Sequence, residues 1–189
     1  KPNAIPREAQ AVIFISPGDV NKVNEKVAQW ERIFKNELRL ADPGVSISLE
    51  QNDSHSTAVF SEETKQKTLT ALLLIPHGVQ AMSMGIEGLV ESSTNLGVVT
   101  TTDTTIQFEN EIRSSIKSAK ANMVTQATSL ADMLGCEVLI DADYPEWPYN
   151  PDSQARKLFE KTYKEKYGKD IEVIAVHAGI KGGVVMEKF

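Results

Sequence analysis

The feature that most constrains this chain is a pair of strand-like runs joined by a short polar loop. Val90 to Thr100 and Ile106 to Ser114 are rich in β-branched residues and alternate in polarity, and so few residues separate them that they read as one antiparallel hairpin. A turn centred on Asp103 pairs Val99 with Gln107, Gly97 with Glu109 and Asn95 with Glu111. In that register the odd-numbered residues of both strands share one face, and Ile106, Phe108 and Ile112 form the core face. Arg113 then lies diagonally from Asn95, about 5–8 Å away and within reach for long side chains. A planar guanidinium beside a carboxamide is suited to gripping a small carboxylate bidentately. The competing reading has Arg113 paired with Glu109 or Glu111 in solvent. A slip of one residue would send Asn95 to the opposite face, so the site depends on register.

The flanking sequence supplies helices and shorter strands. Glu8 to Ser16 reads as a strand through Ala11-Val12-Ile13-Phe14-Ile15. Asp19 caps a helix with Val20, Val23, Val27, Trp30, Phe34 and Leu38 at three- and four-residue spacing, stopped by Asp42-Pro43-Gly44. Val45, Ile47 and Leu49 alternate with serines as a short strand. Ser61 starts a helix whose buried side is Leu69, Leu72 and Leu73, ended by Pro76-His77-Gly78. After the hairpin, a helix from about Ser115 to Leu134 turns Ile116, Met123, Leu130 and Leu134 inward and stops at Gly135. Glu137 to Ile140 reads as a further strand.

The texture changes at Tyr144-Pro145-Glu146-Trp147-Pro148-Tyr149-Asn150-Pro151, where the prolines favour an extended connector. Beyond it, Asp152 or Ser153 caps a helix carrying Leu158, Phe159, Thr162 and Tyr163 on one face and ending at Gly168. Ile171 to Val176 is nearly all apolar and β-branched, as in a strand buried on both faces of a parallel sheet. The expected fold class is α+β: residues 1–150 form an antiparallel sheet with helices on one face, and residues 151–189 form one αβ unit of a different sheet.

Bulk properties exclude several classes. The net charge of -6 disfavours nucleic acid as a partner, and the run Lys161-Thr162-Tyr163-Lys164-Glu165-Lys166 reads as a solvated helix face diluted by glutamate. No apolar run approaches the ~20 residues of a membrane span. A single cysteine, Cys136, fits a reducing, cytoplasmic setting. The chain starts at Lys1, so a longer parent protein is expected.

Candidates for chemistry are few. His177 ends the Ile171–Val176 run just before Ala178-Gly179-Ile180-Lys181-Gly182-Gly183, and the C-terminal end of a parallel strand is where open α/β sheets place ligands. A structural role for a lone histidine there is the competing reading. No Lys-Ser/Thr pair follows the glycines, so a phosphate loop fits poorly. His55 and His77 read as surface loop residues. Asp141 and Asp143 alternate, but no histidine stands at ligand spacing from them. The sequence therefore offers no metal cluster, and no nucleophile elbow or Cys/His pair either; no catalytic residue is assigned.

Three stretches, Asn3-Ala4-Ile5-Pro6-Arg7-Glu8-Ala9, Leu89 to Ser114 and Tyr144 to Gly183, resemble the aminoacyl-histidine (Xaa-His) dipeptidases, a branch of the two-metal peptidases. The resemblance implies that residues 1–150 are most of a lid and dimerisation domain, lacking its first strand and helix, and that residues 151–189 open the second half of a catalytic domain. It implies two zinc ions in the full-length enzyme, bound outside this chain, with a dipeptide substrate and a homodimer formed through the lid. It assigns substrate binding to Arg113, Asn95, His177 and Gly179, with Arg113 on the dipeptide's C-terminal carboxylate. The chain by itself is then expected to be inactive. Where the family reads His-Ala-Gly-Leu-Glu-Cys-Gly, this chain has Lys181 and Gly182 in place of Glu and Cys, which reverses a charge beside the substrate turn. The alternative from another class is a stand-alone, non-catalytic α/β module for protein association or small-ligand binding.

Overall fold

The computed structural model describes residues 1–52 and 58–173. They fall into two compact units, Ala9–Ser61 and a larger one made of Lys1–Glu8 with the chain from Glu62 onward. The architecture is α+β, with a three-stranded antiparallel sheet and four α-helices among the described residues.

In the smaller unit a 3-10 turn, Pro17–Asp19, leads into helix α1, Val20–Glu37. Val23, Val27 and Phe34 are among its half-buried residues, and together with Trp30 and Ile47 they line a shallow apolar groove. Val45, Ile47 and Leu49 are each more covered than the serines between them, so the alternation has structural meaning. Neither Glu8–Ser16 nor Val45–Leu49 is a strand, contrary to expectation. Both have suitable side chains, but no ladder partner pairs with either among the described residues, and unpaired backbone does not make a sheet.

The larger unit begins with helix α2, Glu62–Leu74, and strand β1, Gly78–Met82, which the sequence did not suggest. Strands β2, Val90–Thr101, and β3, Ile106–Ser114, form the expected hairpin, and the sheet order is β1-β2-β3. Helix α3, Lys117–Leu134, packs on β3 and β2, and α2 packs on α3. Gly135 ends α3 in the left-handed region at φ 65°, where glycine carries no Cβ penalty. Helix α4, Gln154–Tyr167, is capped by Ser153, whose hydroxyl accepts the Arg156 amide hydrogen, and it stops at Gly168 as expected.

The core lies where α3 covers the hairpin. Met123 on α3 is 4% exposed and Ala71 on α2 is 5% exposed. The expected buried side of α2 is corrected: Leu69, Leu72 and Leu73 are all exposed, and the face bearing Ala71 turns inward instead. Glu137–Ile140 is irregular and exposed, not a strand. Leu158 and Phe159 on α4 are likewise exposed. Ile171–Val173 is irregular, and the rest of the expected parallel strand lies outside the described residues.

The deepest sheet residues are polar. Ser92 and Thr94 are each 2% exposed, and both are satisfied. Ser92 Oγ lies 2.8 Å from Ser114 Oγ, which also accepts the Ile116 amide at 3.0 Å, so the pair fixes the passage from β3 into α3. Thr94 Oγ1 stands 3.1 Å from the Pro76 carbonyl and 2.8 Å from the Asn110 amide group. One hydroxyl proton cannot serve two acceptors. The consistent assignment turns the Asn110 amide so that its NH2, otherwise buried without a partner, donates to Thr94, while Thr94 donates to Pro76.

Candidate functional site

The face of the hairpin that carries Arg113 is shaped by a loop, a bulge and a clasp. The loop is Thr102–Thr105, closed by the Thr102 amide donating to the Thr105 carbonyl at 2.8 Å, with Thr102 Oγ1 accepting the Thr105 amide at 3.0 Å. With an even loop, Thr101 pairs with Ile106 and Val99 with Phe108, not with Gln107. The expected pairing of Gly97 with Glu109 is also corrected, since Val98 faces Glu109 and Gly97 is bulged out between Leu96 and Val98. The bulge restores the register beyond it, so Asn95 faces Glu111 as expected, and Ser93 faces Arg113. Odd residues of β2 share the Arg113 face only before the bulge; past it, Val98 and Thr100 take over.

Gly97 is required by space. A Cβ on it would sit 2.5 Å from the Pro2 carbonyl oxygen and 2.8 Å from Pro2 Cα, because the Lys1–Ala4 turn lies directly against it. The clasp is Asn95, whose Nδ2 donates to the carbonyls of Pro2 at 2.7 Å and Ala4 at 3.0 Å. The carboxamide expected beside a ligand thus holds the Lys1–Ala4 turn over the hairpin. His77, in the exposed turn where it was expected, accepts the Leu96 amide on Nδ1 at 3.0 Å. That bond fixes the Nε2–H tautomer and supplies an acceptor just outside the β1 ladder. Only the three-dimensional register reveals it.

Arg113 is a third exposed, and its Nε donates to Glu111 Oε1 at 2.6 Å, with Nη2 reaching the same oxygen. Glu111, on the same face two residues earlier, is 25% exposed. The hairpin therefore brings together Arg113, Glu111 and Asn95 on one side of the sheet. His177 and Gly179 lie outside the described residues, as do Lys181, Gly182 and His55.

A second charged cluster was not legible in the sequence. Lys120 on α3 donates to Asp143 Oδ1 at 2.6 Å and the Tyr144 carbonyl at 3.0 Å, and it pairs with Glu146. The Lys120 side chain is 19% exposed and that of Glu146 only 10%. Burial alone would lower the Lys120 pKa, but hydrogen bonds and charge from Asp143 and Glu146 outweigh it and leave the ammonium above its ordinary value. Burial would likewise raise Glu146, and the bond from Lys120 instead holds its carboxyl below the usual range. The two carboxylates are thus engaged by an ammonium. Among the described residues, no three His, Cys, Asp or Glu side chains converge to hold a metal.

No helix among the described residues is long and apolar enough to cross a membrane. No protein-family model matches the chain. It is 32% identical over 189 residues to the cytosol non-specific dipeptidase of Escherichia coli (strain K12), a match covering 99% of this chain and 38% of that protein. The crystal structure of aminoacylhistidine dipeptidase from Vibrio alginolyticus superposes with a TM-score of 0.83 and 28% identity, covering 90% of this chain and 34% of that one. The chain is therefore homologous, over nearly all of its own length, to a part of these dipeptidases that makes up little more than a third of theirs.

Proposed function

We propose that the chain is the lid portion of a zinc-dependent dipeptidase acting on Xaa-His dipeptides, and that Arg113 receives the substrate's C-terminal carboxylate. The observation that carries this reading is the oriented guanidinium on the β2-β3 face, in a chain whose relatives bear dipeptidase names. A carboxylate is the ligand that a planar two-pronged donor suits best. Asn95 contributes by holding the Lys1–Ala4 turn beside that face. His177 and Gly179 complete the substrate side, and the lid also pairs two subunits as a homodimer in the cytoplasm. The metal ions and the water they activate belong to residues outside this chain, which alone hydrolyses nothing. The described residues bind and orient; they carry no proton-transfer step.

The test is Arg113→Ala in a full-length protein containing this segment. Removing a charge-assisted bidentate interaction from a closed site costs about 2–5 kcal/mol, or roughly 30- to 5,000-fold in kcat/KM. Arg113→Lys recovers part of this, because a point charge cannot reproduce the fork. Substrates with an amidated C-terminus are already poor and lose little more. Equal cleavage of free and amidated dipeptides by wild type and the alanine variant would remove Arg113 from the site.

A further inference from the structure

Resting on the carboxylate-clamp reading of Arg113, we propose that Glu111 is a resident counter-anion of that clamp, which competes with the ligand's carboxylate and keeps its affinity low. Glu111 Oε1 takes a hydrogen bond from Nε of Arg113 and forms an ion pair with Nη2, so a single oxygen faces one whole edge of the guanidinium. Both side chains are mostly covered, at 25% and 32% exposed, so the pair is screened less than a surface pair would be. The geometry is imposed by the strand. Residues at i and i+2 of β3 share a face, and the register opposite Asn95 and Ser93 keeps both on the Lys1–Ala4 side of the hairpin.

Two consequences follow from charge alone. With no ligand present, Glu111 offsets part of the positive charge of this mostly covered guanidinium. When a carboxylate arrives, it must either displace Glu111 from its edge or take another edge with a like charge a few ångströms away. Both routes weaken binding and speed release of any product that carries the same carboxylate. An orienting role, in which Glu111 merely aims Arg113, gives the opposite sign: removing Glu111 would then weaken binding. Glu111→Gln separates the two, because glutamine keeps the size and an acceptor oxygen for Nε while removing the charge.

The experiment uses the 189-residue chain and two probes, glycyl-histidine with a free C-terminus and its C-terminal amide, titrated by NMR against the backbone amide signals of β2 and β3, which every variant retains. The expected result is free-acid binding by Glu111→Gln ~3- to 30-fold tighter than by wild type, with the amide unchanged. Glu111→Leu, which loses both charge and acceptor, is expected to fall between the two and guards against misfolding of one variant. Equal or weaker free-acid binding by both variants, while Arg113→Ala still abolishes it, overturns the counter-anion role and leaves the clamp standing. Undiminished binding by Arg113→Ala, or no saturable binding by any form, overturns the clamp and this proposal with it.

Discussion

The hairpin with α3 and the unit Ala9–Ser61 both carry hydrophobic patterns, yet among the described residues only the first turns its pattern into a core. Ser92, Thr94, Met123 and Ala71, the buried residues among those described, all belong to the larger unit. In the smaller one, Val12, Ile13 and Phe14 are more than half exposed, and α1 buries no residue fully. The difference is partnership. β2 has a neighbour on each side and a helix across one face, whereas the apolar run at Ala11–Ile15 has no ladder partner among the described residues. A strand pattern states what a segment can do once paired, and pairing is a property of the rest of the fold.

The sharpest break of this comparison is a matched pair of truncations. Met123→Ala removes a fully packed side chain and is expected to lower stability by about 2–5 kcal/mol, whereas Val27→Ala, from the half-covered face of α1, is expected to cost under ~1 kcal/mol. Urea unfolding followed by circular dichroism measures both. Equal losses would mean that the smaller unit holds a core as tight as the hairpin's.

Lys120 offers the next largest effect. Lys120→Met leaves Glu146, 10% exposed, without its cation, and is expected to cost about 1–3 kcal/mol, less than for a fully buried pair because Asp143 is open to solvent. The Glu146 carboxyl is held below 4.5 in the folded chain, so its contribution is complete above about pH 4.5 and disappears as pH falls through the lowered folded value. Lys120 is held above 10.5, so its share is complete below that value and is lost only as pH rises through the raised one. The gap between wild type and Lys120→Met should therefore stay constant between the ordinary carboxylate and ammonium ranges and close as pH falls through the lowered Glu146 value. A gap unchanged at acid pH would show that Lys120 acts through its methylenes alone.

How much of this was legible follows the range of the interactions. The hairpin, α3 with its Gly135 stop and the start of α4 are written in neighbouring residues and were readable, with the α4 cap narrowed to Asp152 or Ser153, of which Ser153 is the one that caps. Asn95 opposite Glu111 was also read correctly, although through two errors that cancel: the even Thr102–Thr105 loop shifts the register by one, and the Gly97 bulge shifts it back. β1 was missed because Gly78–Met82 is short and has little alternation of its own; its neighbour β2 makes it a strand. The Lys120 cluster and the Asn95 clasp join residues far apart in the chain, and no local pattern encodes such a meeting. Of the four expected substrate residues, Arg113 and Asn95 do share a face, while His177 and Gly179 lie outside the described residues.

The smallest effect concerns Gly97 and Asn95, and it asks whether the Lys1–Ala4 turn responds to them as one unit. A Cβ at residue 97 cannot coexist with the Pro2 carbonyl 2.5 Å away, so one of the two must move. The hairpin is tied by ladder bonds on both sides of the bulge, whereas the turn is held at Pro2 and Ala4 by the two bonds from Asn95. Lifting the turn is therefore the cheaper response, and it forfeits those two exposed bonds, worth about 0.5–1.5 kcal/mol together once water replaces them. Asn95→Ala removes the same bonds directly. Gly97→Ala and Asn95→Ala should each cost about 1 kcal/mol, and the double variant should cost no more than either, because the second change finds the turn already released. Faster hydrogen exchange of the Ala4 amide, which donates to the Lys1 carbonyl at 3.1 Å, should accompany all three. Strict additivity in the double-mutant cycle would mean that Gly97→Ala distorts the hairpin instead, and that the bulge is the softer of the two elements.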